Sequence, residues 1–526
     1  MSQWHGKIGR LAMAATLLGV VCATLLSCRA MMGGPVRSAV SEAPTVGKRF
    51  LSDPFKPVDP ISYTRSKAAS ALMEYRIKPA AAVVGQKPLE LAECRGLALG
   101  SNLELQAARI EEVSKRAIEF SNRTKLLPHF LVSAELGERD NLAYSYSDPG
   151  NDQGKPPDFP PLRREDGTRV QEGLVSNWAL GRERSTWRYV LETRWSPTDA
   201  ILAYYLTLSS GNERLTAHFQ KVRTAQKLVG VVDSAFFRLL SLQQCLPMAK
   251  NLVGLRADIM ARMEALLDRK LKTVDDCERA RQSHVKARGL VAMLENETQT
   301  QINILASTMG VSPDSCAGLT VAGTLPEPVM DECITTLEMT AVQNRPEAYQ
   351  AGLNNLNSIN DLKRSIVKAF PKVTAYWRTT HDKDKYILNK DWKEVGMMVY
   401  FDLLDFISTM GETRASRAKT DKTDREVGAV ALGITSQVRI ASLKTLHAIT
   451  QLRNAEISVN GAMRVYRTAQ KSYAANASDK LSQDEAHANY LGEEIARIRA
   501  LGEANAMLAE LYAAMGTNYS EPVPKD

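Results

Sequence analysis

The stretch Thr186-Trp-Arg-Tyr-Val-Leu-Glu-Thr-Arg-Trp195 alternates between an apolar set and a mostly charged set of side chains. A period of two predicts a β-strand with two different faces. A helical pattern follows from about residue 201 to about residue 268, which corresponds to roughly 100 Å at 1.5 Å per residue. That length exceeds the diameter of a globular domain, so the helix must pair along its length with neighbouring helices, as in a coiled coil.

Three further segments show the same alternation and predict strands, one from Pro128, one from Pro371 and one over residues 395–401. An apolar face opposite a polar face suits the wall of a membrane barrel, although a half-buried soluble sheet has the same pattern. Four strands leave open edges, which lipid does not permit, so closure of a barrel would need other copies of the chain; three copies would supply twelve strands. The residues expected to face lipid are Phe130, Val132, Trp187, Tyr189, Leu191, Trp195, Trp377 and Phe401.

The same order of predicted elements occurs twice, which predicts an internal two-fold repeat. The helical segments are, in order, about 88–126, 201–268, 274–309, 331–369, 408–475 and 483–515. Near the first strand, equivalent positions of the two halves are 243 residues apart in the sequence, as Pro128 and Pro371 are. Later in each half they are 206 residues apart, as Gly310 and Gly516 are. The difference is a longer loop in the first half, residues 140–178, whose Asp, Gly, Pro and Arg content indicates an exposed surface loop.

Two short segments after the long helices indicate tight reversals from one helix to the next. Both have the spacing of a capping box: Thr273-Val-Asp-Asp276 and Ser482-Gln-Asp-Glu485. In such a box the hydroxyl of the first residue accepts from the amide three residues on, and the carboxylate of that residue accepts from the amide of the first. Gly310 and Gly516 stand where glycines end the return helices. Bends, and not helix ends, are expected at Gly230, Pro247, Gly428 and Gly433.

The N-terminus has the pattern of a secretory leader. Lys7 and Arg10 precede an apolar run over residues 11–26, which is shorter than the roughly 20 residues of a spanning helix. The run ends in Leu25-Leu-Ser-Cys28, which resembles a lipobox, so Cys28 is the predicted lipidation site; an ordinary signal peptide with a chance cysteine is the alternative. The sequence predicts no membrane-spanning α-helix beyond residue 28.

Composition and motifs argue against several classes of function. The net charge is +8, but basic and acidic residues are interspersed, which indicates solvated helix faces and no nucleic-acid partner. The chain lacks a phosphate loop, a GxSxG elbow, an HExxH pair and a dinucleotide fingerprint, and its seven histidines are scattered, so we expect no enzyme, metal site or cofactor. Two cysteines in and just after the Pro/Gly-rich linker, Cys316 and Cys333, could pair in an oxidising compartment.

Several short motifs stand at the boundaries between the predicted elements. Asn344-Arg-Pro-Glu347 opens the second half, and Gly323-Thr-Leu-Pro-Glu-Pro328 lies between the halves. The passages between helix and strand are Leu126-Leu-Pro128, Ala369-Phe-Pro371, Trp195-Ser-Pro-Thr-Asp199 and Phe401-Asp-Leu-Leu-Asp405. Taken in order over about residues 86–516, these motifs resemble those of the TolC-like outer-membrane efflux family, including its NRPE stretch and its inter-repeat linker.

The resemblance implies an α+β fold in which a homotrimer forms a twelve-stranded outer-membrane β-barrel, continued by a long periplasmic α-helical barrel. It also implies three partners: outer-membrane lipid, a periplasmic adaptor protein and an inner-membrane transporter. The expected division of the chain is a signal peptide (1–27), a lipidated N-terminal extension (28–85), a first repeat (86–310), a linker (311–330), a second repeat (331–516) and a C-terminal tail (517–526).

In this family the tip turns carry a glycine, two residues, a serine or threonine, and an acidic residue in the return helix. The six corresponding positions, expected to contact the adaptor, are Lys270, Thr273, Asp276, Asp479, Ser482 and Glu485. Lys270 and Asp479 stand where the family has glycine, which is a departure from the pattern. An acidic pair near the second tip narrows the family's aperture; Glu485 matches its first member and Ala488 stands at the second. Glu485 is therefore the aperture candidate, with helix capping as the alternative.

The expected function is that of a passive conduit in a tripartite system at the outer membrane, lipid-anchored and extending into the periplasm. Drug or metal efflux is favoured over type I protein secretion. A periplasmic, lipid-anchored coiled-coil scaffold is the alternative from another class, and it would not conduct ions across a bilayer.

Overall fold

The computed structural model describes residues 87–140, 143–146, 178–312, 316, 318–330, 333–385, 387 and 389–524. These residues fall within one of the chain's two units, Lys78–Asp526. The expected signal peptide, the lipidation site Cys28, the extension up to residue 85 and most of the 140–178 loop lie outside the described residues.

The described helices follow the same order in each half of the chain. Each half has two short helices, one helix of 72 residues and one return helix of 35 or 36 residues. At 1.5 Å per residue the longest helices span roughly 108 Å, in agreement with the sequence pattern. The helices are α1 (Leu91–Ser101), α2 (Leu103–Thr124), α3 (Pro197–Asp268), α4 (Val274–Thr308), α5 (Ile334–Asn344), α6 (Pro346–Lys368), α7 (Leu403–Ala474) and α8 (Lys480–Met515).

The single helices expected over residues 88–126 and 331–369 are each divided into two. In the first half Asn102 has an extended backbone, and its side-chain oxygen accepts from the amide of Leu105 at 3.1 Å, so it caps α2. The corresponding residue of the second half is Arg345, which is extended because it precedes Pro346. A break of one residue hardly changes the apolar spacing, so periodicity alone indicated one helix.

The four long helices pack side by side in the order α4, α3, α8, α7, so α4 and α7 end the series. The shorter helices α2 and α6 pack on α3, and α6 also packs on α7. Small residues bring α3 and α8 close together: a Cβ added to Gly502 would overlap Ser241, and one added to Gly230 would overlap Ala513. As expected, α3 continues through Pro247 and α7 through its glycines without ending.

Two hydrophobic clusters hold α3 against its neighbours. One joins α1, α3, α4 and the linker around Leu239 and Leu305, both fully buried. The other lies nearer the tips and joins α3, α4 and α8 around Leu294 and Ile495. The linker contributes Val321 to the first cluster, so it is part of the core and not a free tether.

Charged side chains are buried where α2 packs on α3. The amine of Lys221 donates to Glu112 on α2 at 2.8 Å and to Glu521 in the C-terminal tail at 2.7 Å. Burial alone would raise the pKa of Glu112, but the hydrogen bond and charge of Lys221 outweigh it and hold that pKa below its ordinary value. The tail is therefore fixed to α2 and α3 through one buried cation.

The Asn344-Arg-Pro-Glu347 motif ties the long helices together. Arg345 is buried and donates to Glu347 at 2.7 Å and to Gln437 of α7 at 2.7 Å. Glu347 also lies 2.6 Å from Arg223 of α3. The motif thus joins α6 to α3 through an ion pair and to α7 through a hydrogen bond.

The main sheet is antiparallel with the strand order β1-β4-β5-β6. Its strands are β1 (His129–Glu138), β4 (Ser185–Trp195), β5 (Lys372–Asp382) and β6 (Asp391–Tyr400). The last strand begins before the expected residue 395 and ends before Phe401. A separate ribbon pairs β2 (Ala143–Tyr146) with β3 (Trp178–Arg182), at the two ends of the segment expected to be only a surface loop. With four and five residues, these strands are too short for a period of two to show.

Three further predictions from the sequence concern the glycines that end the return helices, the two cysteines considered for a disulfide, and membrane-spanning helices. Gly310 and Gly516 have φ angles of +70° and +75° at the ends of α4 and α8, which confirms them as terminating glycines. Cys316 is buried and Cys333 is exposed, and both are free thiols, so the considered disulfide is not formed. None of the described helices is both long enough and apolar enough to cross a membrane.

Candidate functional site: the sheet faces and the helix tips

The register of the main sheet gathers apolar side chains from all four strands on one face. Directly opposed residues share a face, and pairs such as Val132 with Leu191 and Trp377 with Val395 extend this face across the sheet. We call it the apolar face: Phe130, Val132, Leu136, Trp187, Tyr189, Leu191, Trp195, Trp377, Val395 and Met397. These side chains are between 37% and 79% exposed. Phe401, just beyond β6, lies beside Phe406 of α7 with ring centroids 5.9 Å apart.

The opposite face carries ion pairs that link all four strands. We call it the charged face: Glu135, Arg188, Glu192, Arg194, Lys372, Arg378, Asp382 and Glu394. Nearer the helices, Glu192 accepts from Arg194 at 2.6 Å through one oxygen and from Arg378 at 3.0 Å through the other. Farther from the helices, Arg188 donates to Asp382 at 3.2 Å and lies 3.9 Å from Glu135.

The two faces differ in exposure as well as in chemistry. Along β4, Trp187 and Leu191 are exposed, whereas Arg188 is half-buried and Glu192 is buried. A soluble sheet that covers a core buries its apolar face and leaves its charges in water. This sheet instead exposes its apolar side chains. On the charged face Glu192 and Asp382 are buried in ion pairs, whereas Glu135, Arg194 and Lys372 are exposed.

One tyrosine of the charged face occupies the space above a glycine. Tyr376 is directly opposite Gly396, and a Cβ added to that glycine would lie 2.8 Å from a ring carbon of Tyr376. The tyrosine hydroxyl donates to Glu394 at 3.0 Å, and the guanidinium of Arg378 lies 5.3 Å from the ring centroid. Gly396 therefore permits a close cross-strand contact that orders the charges around it.

The sheet has two open edges, β1 and β6. Each has ten residues and pairs on only one side within the described part of the chain. Residues 395–400 of β6 carry no charge and no proline, the features with which soluble proteins usually block an edge. This part of β6 is therefore suited to pairing with another strand.

The turn between α3 and α4 has the expected capping box. The hydroxyl of Thr273 accepts from the amide of Asp276 at 3.3 Å, and the Asp276 carboxylate accepts from the hydroxyl and the amide of Thr273. These hydrogen bonds lower the pKa of Asp276. Lys270, at the family's glycine position, has φ of +57°, the left-handed conformation that glycine adopts most readily.

The turn between α7 and α8 is built differently from the prediction. The cap of α8 is Asp479, whose carboxylate accepts from the amide of Ser482 at 3.0 Å. The predicted box of Ser482 with Glu485 is wrong, and so is the capping role of Glu485, which lies in the second turn of the helix. The left-handed residue is Asn476, with φ of +54°, and not Asp479, which is extended.

The offset of 206 residues between the halves accounts for this correction. It relates Thr273 to Asp479, and Lys270 to the left-handed Asn476. A match of Thr273 to Ser482, because both carry a hydroxyl, places the second turn three residues too far along the chain. An aspartate side chain caps a helix as well as a serine does, so the capping position changed residue type without changing its role.

We expect Asp479→Ala to loosen the start of α8, and Ser482→Ala to have little effect. Loss of an N-cap costs about 0.5–2 kcal/mol, whereas Ser482 serves the cap through its backbone amide. Hydrogen exchange of the first amides of α8 measures the difference, with exchange about tenfold faster in the aspartate variant for a loss near 1.4 kcal/mol. Faster exchange in the serine variant alone would refute the assignment of the cap.

The two positions compared with the family's aperture pair, Glu485 and Ala488, have different environments in the structure. Ala488 is 1% exposed within the cluster of α3, α4 and α8, so it packs between helices. Glu485 is half-buried on the same helix. The adjacent Asp484, which sequence reasoning missed, is buried and pairs with Arg262 of α3 and with Lys480 at 3.1 Å. Asp484 is thus the carboxylate that ties the second tip to α3.

The four-stranded sheet, the layer of long helices and their order along the chain define the fold of the TolC-like outer-membrane channels, as the sequence motifs indicated. Similar solved structures include the outer-membrane channel OprN (16% identity, 81% of this chain and 89% of that chain, TM-score 0.63). VceC from Vibrio cholerae has 13% identity over 81% of this chain and 96% of that chain, with a TM-score of 0.62. CmeC from Campylobacter jejuni has 12% identity over 82% of this chain and 87% of that chain, with a TM-score of 0.64. Neither a family model nor a curated protein matches the sequence, so the likeness is one of fold.

Proposed function

We propose that this protein is a subunit of an outer-membrane channel in a tripartite efflux or export system. It would act as a passive conduit from the periplasm and an inner-membrane transporter to the exterior, without a catalytic role. The observation that carries the proposal is the sheet that exposes its apolar face and carries ion pairs across all four strands on the opposite face, with Glu192 and Asp382 buried in them. Lipid outside and water inside would stabilise both faces at once.

Closure of the sheet requires other copies of the chain. With three copies, β1 of each protomer would pair with β6 of the next, giving twelve strands and leaving no unpaired backbone in hydrocarbon. The same arrangement would bring α4 of one protomer against α7 of its neighbour. Exposed apolar residues along α7 support this contact: Leu432, Ile440, Leu443, Ile457 and Val465.

The repeated order of elements supports the proposed domains: two repeats, 86–310 and 331–516, joined by the linker 311–330 and followed by the tail 517–526. We retain the lipid anchor on Cys28 and the signal peptide 1–27 as proposals from the sequence. The tips would dock an adaptor through Lys270, Thr273, Asp276, Asp479, Ser482 and Glu485. Glu485 stays the candidate aperture residue, and drug or metal efflux stays favoured over protein secretion.

The protein extracted from outer membranes in mild detergent provides the test. We expect a heat-sensitive trimer by light scattering, and discrete conductance steps after its insertion into planar bilayers. A stable monomer whose sheet is protected from exchange, or a trimer that never conducts, would refute the channel. The scaffold alternative predicts release from the membrane once the lipid is absent, so Cys28→Ala behind an ordinary signal peptide is the control and should remain membrane-embedded.

A further inference from the structure

The charged face carries as many cations as carboxylates, and one of its cations, Lys372, also pairs with Asp199 of α3 at 2.9 Å. By register the four strands contribute the cations Arg188, Arg194, Lys372 and Arg378 and the carboxylates Glu135, Glu192, Asp382 and Glu394 to this face. If the proposed channel is correct, on which this inference rests, these eight side chains line the passage through the membrane. A ring of fixed charges of one sign selects ions of the other sign, and a balanced ring selects weakly.

The balance depends most on Glu192. This residue is 7% exposed, and each of its carboxylate oxygens accepts from a different arginine, Arg194 and Arg378. Among the described residues, Glu192 is the only carboxylate within salt-bridge distance of Arg194. Arg378 also lies 3.7 Å from Glu394, so its charge is compensated twice.

We propose that Glu192 is the residue that keeps the passage from selecting anions. Without its charge, each protomer would present one uncompensated guanidinium, and the three proposed copies would present three at the same height. Fixed charges act on mobile ions within about one Debye length, roughly 8 Å at physiological ionic strength, so they act on the ions that move close to the wall. The passage would then concentrate anions and repel cations.

Glu192→Gln tests this proposal because it removes the charge and keeps the shape. We expect the ratio of chloride to potassium permeability, obtained from the reversal potential in a KCl gradient, to rise about twofold or more. Glu192→Gln combined with Arg194→Gln restores the balance and should return the ratio to that of the unmodified channel. Glu138→Gln, at an exposed position in line with the apolar face of β1, is the matched control and should leave the ratio unchanged.

The outcomes separate this proposal from the proposed function. A conducting Glu192→Gln channel with an unchanged permeability ratio would overturn the role of Glu192 and leave the channel intact. Unmodified protein that inserts without conducting would overturn the channel itself. If Glu192→Gln does not assemble, Arg194→Gln replaces it, because it removes the cation that Glu192 alone compensates. It should shift the ratio toward cations, and an unchanged ratio or a shift toward anions would refute the proposal.

Discussion

Gly502→Ala is expected to destabilise the helical layer by about 1–3 kcal/mol, as overpacking of a tight contact does. The added Cβ would overlap the side chain of Ser241 on α3 and would lie 3.2 Å from the carbonyl oxygen of Phe237. The serine hydroxyl can rotate away, but its Cβ and the helix backbone cannot, so α3 and α8 must separate. Thermal or denaturant midpoints of the detergent-purified protein measure the loss.

Gly492→Ala is the matched control because Gly492 lies on the same helix with no atom within 4 Å of its added Cβ. There the gain in helix propensity should stabilise the protein by roughly 0.5–1 kcal/mol. The pair Gly502→Ala with Ser241→Gly should recover most of the loss, since the overlapping atoms are then removed. Equal midpoints for the two alanine variants would show that α3 and α8 do not approach as closely as described.

The long helices and the strand pairs could be predicted from the sequence because each has a pattern that local chemistry imposes. The helical pattern over about residues 201–268 predicted most of the 72-residue α3, and the alternation at residues 186–195 predicted β4. The breaks at Asn102 and Arg345 were missed because each interrupts the helix for one residue. The second tip was misplaced because aspartate and serine are equivalent caps, and local spacing alone did not decide between them.

The alternation also predicted that the sheet has two faces, but not which charged side chains pair across the strands. Those pairings depend on register, as for Glu192 with Arg378 and for Arg188 with Asp382. Each of these pairs joins residues almost 200 positions apart in the chain. The same holds for Lys221 and Glu521, which are 300 positions apart. Contacts of this kind follow from the completed fold and have no local sequence signal.

Leu191→Arg is expected to prevent most of the protein from accumulating as an outer-membrane trimer. Leu191 lies near the middle of β4 on the apolar face and is 42% exposed. If that face meets lipid, an arginine near the bilayer midplane costs about 2–4 kcal/mol in each protomer, and three protomers carry the cost together. Outer-membrane fractionation followed by electrophoresis without heating measures the trimer that remains.

Ser133→Arg provides the comparison, because Ser133 lies in the neighbouring strand on the charged face, opposite Val190. Water and the carboxylates of that face can solvate the new cation, so this variant should assemble. It should also shift the permeability ratio toward anions, because it adds a positive charge to the lining. If the two arginines were equally harmful, lipid would not distinguish the faces; if Leu191→Arg were harmless, the apolar face would not contact lipid. Only a large loss for one face and assembly for the other follows from a sheet that separates hydrocarbon from water.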